Sequence, residues 1–147
     1  MTSEDTRRAK IVVPAPNGEV ETLWALVEGR DRYRVDNIPF LAFGLSLGDV
    51  VRAPVMNGRP AFAEVLERSG HSTYRLALRD GIDPDSFTEL VGPLKAVGCT
   101  VERFTRRMTG VDIPPTVDIY AAYELIEKGM AAGTWDFDEA NVEHALR

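Results

Sequence analysis

Chemistry-bearing residue types are scarce in this chain of 147 residues. The single cysteine, Cys99, excludes an internal disulfide and a cysteine-based zinc site. Only two histidines, His71 and His144, are present, far apart in sequence, which argues against a histidine-rich metal site. No apolar run reaches the roughly 18–20 residues needed to cross a bilayer. The start, MTSEDTRRAK, lacks the apolar stretch of a secretory signal, so a cytoplasmic location is the expectation. Also missing are a G-x-S-x-G nucleophile elbow, a phosphate-cradling G-x-x-x-x-G-K-S/T loop, a dinucleotide glycine fingerprint, H-E-x-x-H and any EF-hand loop. No cofactor is therefore expected.

What is present is an ordinary globular composition with an uneven charge. Residues 1–111 hold 15 basic and 15 acidic side chains, whereas residues 112–147 hold 8 acidic ones against Lys128 and Arg147, so the second stretch supplies the whole −6. Such an acidic end repels phosphate and disfavours nucleic acid as a partner. It suits either a solvated helix face or a surface for a basic protein partner.

Turn chemistry and hydrophobic period divide the chain into a front and a back. Asn17-Gly18 and Asn57-Gly58 are hairpin turns, and Gly29 to Asp31 is another. They join short strands at Lys10–Val13, about 21–28, Tyr33–Asp36, Val50–Met56 and Ala61–Arg68. Repeated short strands with no helix between them predict a small barrel-like antiparallel unit. Within it, Trp24 is expected to be a core anchor. Pro39 ends a ladder, so the chain bends at Asn37-Ile-Pro-Phe40.

From Ser72 the period changes. Ser72–Arg79 alternates as a strand, with Tyr74, Leu76 and Leu78 on one face and Thr73, Arg75, Ala77 and Arg79 on the other. Asp83-Pro84 starts a helix, Pro93 predicts a kink or break near Gly92, and Gly98 caps the end. Two strands follow, at Thr100–Phe104 and Met108–Ile113. A second helix is capped by Thr116 or Asp118 and ended by Gly133. Trp135 and Phe137 are expected to fold back on the core, with Asp138 capping a short last helix. The order strand, helix, strand, strand, helix predicts a ferredoxin-like, split βαβ half. The expected organisation is an α+β chain: a disordered tail at 1–8, a barrel-like half at 9–71, and an α+β half at 72–147 packed with it.

Four stretches carry polar side chains in suggestive order. In Ser69-Gly-His-Ser-Thr-Tyr-Arg75, His71 could act as a general base beside Ser69, Ser72 or Thr73, with Arg75 as an anion clamp. No local carboxylate orients His71, so Asp36 or Asp49 would have to do so after folding. The alternative is a turn whose polar side chains bond the backbone. Asp36-Asn37 beside the proline bend could receive a ligand or simply hold the bend. Arg103, Arg106 and Arg107 could grip phosphate, or form a charged edge that blocks sheet pairing. Cys99, after Gly98, is expected to be small and buried with a raised thiol pKa.

Several of these sequences together resemble a mainly bacterial family catalogued as domain of unknown function 4265. They are Glu21-Thr-Leu-Trp24, Tyr33-Arg34, Asn37-Ile-Pro-Phe40, Gly48-Asp49, Ser69-Gly-His-Ser-Thr-Tyr-Arg75, Gly98-Cys99 with Glu102, Asp112-Ile-Pro114 and Gly133-Thr-Trp135. The resemblance covers about residues 11–140 and carries over no activity. It makes Asn37, Ser69, Thr73 and Arg75 the first candidate ligand-binding positions. The functional expectation is a non-catalytic binding or regulatory protein, of immunity type in its most concrete version. The rival is a small-molecule binder or enzyme with its site where the Asn37 bend meets the 69–75 turn.

Overall fold

Tight turns fold the front of the chain into antiparallel hairpins. The computed structural model describes residues 7–147. Strand β1 (Arg8–Pro14) returns as β2 (Val20–Gly29) through a turn at Pro16–Gly18, where Asn17 takes a φ of 64°. Asp31, at φ 58°, closes the next hairpin into β3 (Arg32–Val35). After a long loop come β4 (Val50–Arg52), a small hairpin of β5 (Val55–Met56) and β6 (Arg59–Pro60), and β7 (Glu64–Glu67). The expected strand at 50–56 is thus interrupted at Ala53-Pro54, where Pro54 lacks the N–H a ladder needs, and that at 61–68 is shortened to Glu64–Glu67.

The five-stranded sheet has the order β1-β2-β3-β4-β7, every pair antiparallel. A parallel bridge between Val12 and Ala61, with the Phe62 N–H donating to the Val12 carbonyl at 2.9 Å, draws the segment before β7 back to the β1 edge. Of the expected 1–8 tail, residues 1–6 lie outside the described ones. The Arg7 carbonyl accepts from the Val27 N–H at 2.8 Å, and Arg8 opens β1.

The back of the chain is β8 (Ser72–Leu78), α1 (Phe87–Ala96), β9 (Thr100–Arg103), β10 (Met108–Ile113), α2 (Ile119–Ala131) and β11 (Trp135–Asn141). Its sheet has the order β11-β8-β10-β9, again all antiparallel. The described residues form a mixed arrangement of mostly strands, with two α-helices and open antiparallel sheets.

Three expectations fail here. Helix α1 runs through Pro93 without a break. The helix buries Val91 and Leu94 on the sheet, and that packing offsets the hydrogen bond Pro93 cannot make. Asp138 caps no helix, because residues 135–141 form an edge strand against β8. Trp135 is buried there, its Nε1–H donating to the Ile126 carbonyl at 2.9 Å. Gly129 makes room for the ring: an added Cβ would lie 2.2 Å from it. Trp24 is not a core anchor either. Leu23 and Ala25 take the inward face of β2, and Trp24 stands outward opposite Lys10, 40% exposed. Both faces of β2 are apolar enough that alternation alone did not choose between them.

Two apolar clusters follow from these layers. One lies inside the front sheet around Ile11, Leu23, Val35 and Val51. The other lies between the back sheet and its helices around Tyr74, Leu94, Val111, Ile113 and Ile126. The loop 36–49 joins them by crossing the helix-free face of the back sheet.

Candidate functional site

That helix-free face is polar because strands alternate. Tyr74, Leu76, Val111 and Ile113 point to the helices, so Thr73, Arg75, Gly110 and Asp112 point to the loop. Register lines these residues into two cross-strand rows. One row runs Asn141, Thr73, Asp112, Thr100; the other runs Asp138, Arg75, Gly110, Glu102. Gly110 lets the loop approach closely, since an added Cβ would sit 2.6 Å from the Ile38 Cγ2 atom.

Each polar side chain in this seam already has a partner. Thr73 and Ser46 share a hydroxyl–hydroxyl bond of 2.7 Å with both residues fully buried. The Arg75 guanidinium donates to the Ala42 carbonyl at 2.9 Å and to Asp138 at 3.1 Å, and lies 4.4 Å from the centre of the Phe43 ring. Ser69 donates to the Leu47 carbonyl at 2.7 Å, while its N–H donates to Asp49 at 2.9 Å. The structure therefore gathers Ser69, Thr73 and Arg75 along the loop, with their polar atoms engaged inside the chain.

His71 has an orienting carboxylate, but not an expected one. Asp36 pairs with Arg8, and Asp49 accepts from the Ser46 and Ser69 backbone N–H groups. The partner is Asp112, both of whose oxygens lie 2.9 Å from His71 Nδ1. Asp112 is 1% exposed, and burial pushes its carboxyl up against the opposing pull of the His71 bond. An ionised Asp112 only accepts, which places the proton on Nδ1 and leaves Nε2 as the base of the neutral ring. His144 is a structural counterpart. Its Nε2 donates to the Pro114 carbonyl at 2.9 Å, and its Nδ1 accepts from the buried Ser72 hydroxyl at 2.6 Å.

Next to this pair, two buried carboxylates share one arginine. Arg68 lies 3.3 Å from Asp49 and 3.2 Å from Glu143. Burial and the neighbouring Glu143 raise Asp49 to about 6. Glu143 is held below its ordinary value, burial being outweighed by bonds from Asp49, the Gly70 N–H, Asn141 and Arg68.

Asn37 lies elsewhere. Its Oδ1 accepts from the Trp24 N–H at 2.6 Å, and its Nδ2 donates to the Ile38 carbonyl at 3.1 Å, so it pins the proline bend to β2. It also lines an open groove of about 470 Å³ between the two sheets, with Trp24, Phe40, Leu41, Glu102 and Phe104 among the other walls. Ser69, His71, Thr73 and Arg75 do not line it. The rings of Phe40 and Phe104 stack at 4.7 Å with 16° between planes. The floor is held by Glu21, whose carboxylate accepts from the N–H groups of Phe40, Leu41 and Ala42 at 2.7–2.9 Å. Sequence reasoning expected Trp24 in the core and singled out neither Phe40 nor Phe104 as a contact for a ligand. The signal that could have singled them out is Lys10 on the strand facing Trp24, which marks that face as wet.

The remaining candidates resolve locally. Arg103 and Arg107 donate to the carbonyls of Pro84, Arg106, Arg79 and Ile82, and Arg106 pairs with Asp85, so the three arginines tie surface turns. Cys99 is buried, and burial pushes its thiol up to about 11. Of the acidic residues in the last third, Asp112, Asp138, Glu139 and Glu143 bond side chains or backbone in the chain, and Asp118 caps α2. Glu124 and Glu127 remain on the exposed face of α2, and Asp136 stands exposed on β11, 3.9 Å from Arg79. Among the described residues no three His, Cys, Asp or Glu side chains gather into a metal-holding group, and no helix is long and apolar enough to cross a membrane.

The model of a domain of unknown function, DUF4265, matches residues 21–137. The chain belongs to that family. The matched span takes in the groove lining from Glu21 onward and the seam residues up to Asp112, and leaves out Val20, Asp138 and residues 141–144. No curated protein matches. The fold is similar to that of a hypothetical protein from Neisseria gonorrhoeae solved by crystallography, with a TM-score of 0.78 at 15% identity, covering 95% of this chain and 97% of that one. At that identity the likeness speaks to the fold alone.

Proposed function

We propose that this DUF4265 protein is a non-catalytic binding or regulatory protein whose recognition surface is the groove beside Asn37. One observation carries the reading. Large rings stand in solvent around the groove, Trp24 at 40% and Phe104 at 46% exposure, on a floor fixed by the three Glu21 hydrogen bonds. Exposed rings on a rigid frame give contact area at little cost in ordering, the usual chemistry of a binding site. The polar residues 69–75 favour a different role, since their donors and acceptors are taken up in holding loop 36–49 to the back sheet. In this reading the front sheet is barrel-like, curled by the Val12–Ala61 bridge, and the back half is ferredoxin-like, with β11 completing the strand order. Chemical-shift mapping of a soluble fragment library tests the reading. Binding fragments should move the amides of Trp24, Phe40, Leu41 and Phe104. Shifts confined to residues 69–75 would overturn it.

The enzyme reading keeps one supporting observation: the 2.9 Å His71–Asp112 pair leaves Nε2 as a base on a partly exposed ring. It expects turnover of activated esters or phosphoesters that disappears in His71→Asn. A turnover unchanged by that substitution would remove it.

A further inference from the structure

The charged lining of the groove has one sign. Among the described residues Glu21 and Glu102 line it, and no lysine, arginine or histidine does. Glu102 stands at the end of the row that begins at Asp138. Partial burial, then the nearby Asp112 and Asp36 charges, hold its carboxyl above the ordinary range against a bond from the Ile38 N–H. The other walls include three π-systems, those of Trp24, Phe40 and Phe104. Aromatic faces beside carboxylates attract cations, because the ring quadrupole and the charge act together. The chain already uses this on one ring: the Arg8 guanidinium lies 4.6 Å and the Lys10 ammonium 5.0 Å from the Trp24 ring centre, both contributed by β1. Among the described residues no cation lies over the stacked Phe40–Phe104 pair.

Resting on the groove being the recognition surface, we infer that it receives an arginine side chain of a basic protein partner. A planar guanidinium stacks on an aromatic face while its N–H fork bonds a carboxylate, which a lysine ammonium cannot do in the same geometry. The site is an open channel spanning both sheets, which suits a side chain presented by a larger surface. The net charge of −6 steers such a partner inward.

The test uses two acetylated, amidated hexapeptides. One alternates arginine with glycine; the other has citrulline, the neutral isostere, at every arginine position. Each is titrated into the full chain and followed by amide shifts. The arginine peptide should move Phe40, Leu41, Glu102 and Phe104 and bind about fivefold or more tightly than the citrulline peptide. Glu102→Gln, on the rim, should lose about the same factor. Equal binding of both peptides at the groove would overturn the cation preference while leaving the groove as the recognition surface. Shifts on the Glu124–Glu127 face of α2 would also overturn it, assigning the attraction to diffuse charge. If neither these peptides nor the apolar fragments moved the groove amides, both readings would fall.

Discussion

The seam and the groove are built by the same loop, yet they use their side chains in opposite ways. In the seam, residues that look like an active site are consumed: Thr73 bonds Ser46, Arg75 bonds Ala42 and Asp138, and Ser69 bonds Leu47. In the groove, residues that look like core are left in water. The difference lies in what each surface must satisfy. A loop laid across a sheet face buries backbone donors and acceptors, and these need partners, so polar side chains gather there for structural reasons. An aromatic ring needs no partner, so rings left exposed on a rigid frame call for another explanation. Under the proposed function, unusual polar sequence is a weaker sign of a site here than misplaced apolar sequence.

The sharpest way to break this comparison is at Glu21, which serves both sides. Glu21→Ala leaves the N–H groups of Phe40, Leu41 and Ala42 without their acceptor, and should lower stability by about 3 kcal/mol in urea denaturation. A loss under about 0.5 kcal/mol, the scale of an ordinary surface substitution, would mean the loop is held some other way. Gly110→Ala tests the seam alone. The added Cβ meets Ile38 at 2.6 Å, and overpacking there should cost about 2 kcal/mol.

A pH series separates the seam further. Asp49 rises to about 6 in the folded chain from an ordinary 3.8, so the folded state holds that proton more tightly than the unfolded one. Its contribution is fully present below 3.8 and is lost as pH rises through about 6. Asp112 acts in the same direction. Glu143 acts in the other: lowered from 4.5, its contribution is lost as pH falls through its folded value. The urea midpoint should therefore decline from about pH 4.5, the ordinary Glu143 value, to about pH 6, the raised Asp49 value. Glu143→Gln, which removes the neighbouring charge, should flatten that decline. A midpoint that climbed over the same interval would refute the assignment. The smallest expected effect is at Trp24. Trp24→Ala should change stability by no more than about 0.5 kcal/mol, since the ring is already 40% exposed, while removing one wall of the groove.

Turn chemistry was the legible part of the fold. Asn17-Gly18, Asn57-Gly58, Asp83, Gly98, Asp118 and Gly133 all turn or cap where the residue type says they should. The misses have physical causes. Trp24 sat on a strand apolar on both faces, so only the cross-strand lysine could assign it. β11 was hidden because Asp136, Asp138 and Glu139 resemble a helix start, and its pairing with β8 lies more than 50 residues away in sequence. The candidate site was legible only in pieces. His71 and Asp112 are brought together by β8–β10 register, which no local pattern encodes. The groove needs residues from β2, the bend and β9, three places the sequence keeps apart.

The most direct test measures binding and stability on two variants side by side. Phe104→Ser removes a groove wall, and Thr73→Val removes a seam hydroxyl. With a fragment that moves the groove amides of the unmodified chain, Phe104→Ser should abolish the shifts and leave the urea midpoint nearly unchanged. Thr73→Val should lower stability by about 1–2 kcal/mol and leave the shifts intact. The reverse pattern, binding lost with Thr73 and kept without Phe104, would place recognition in the seam and contradict the account.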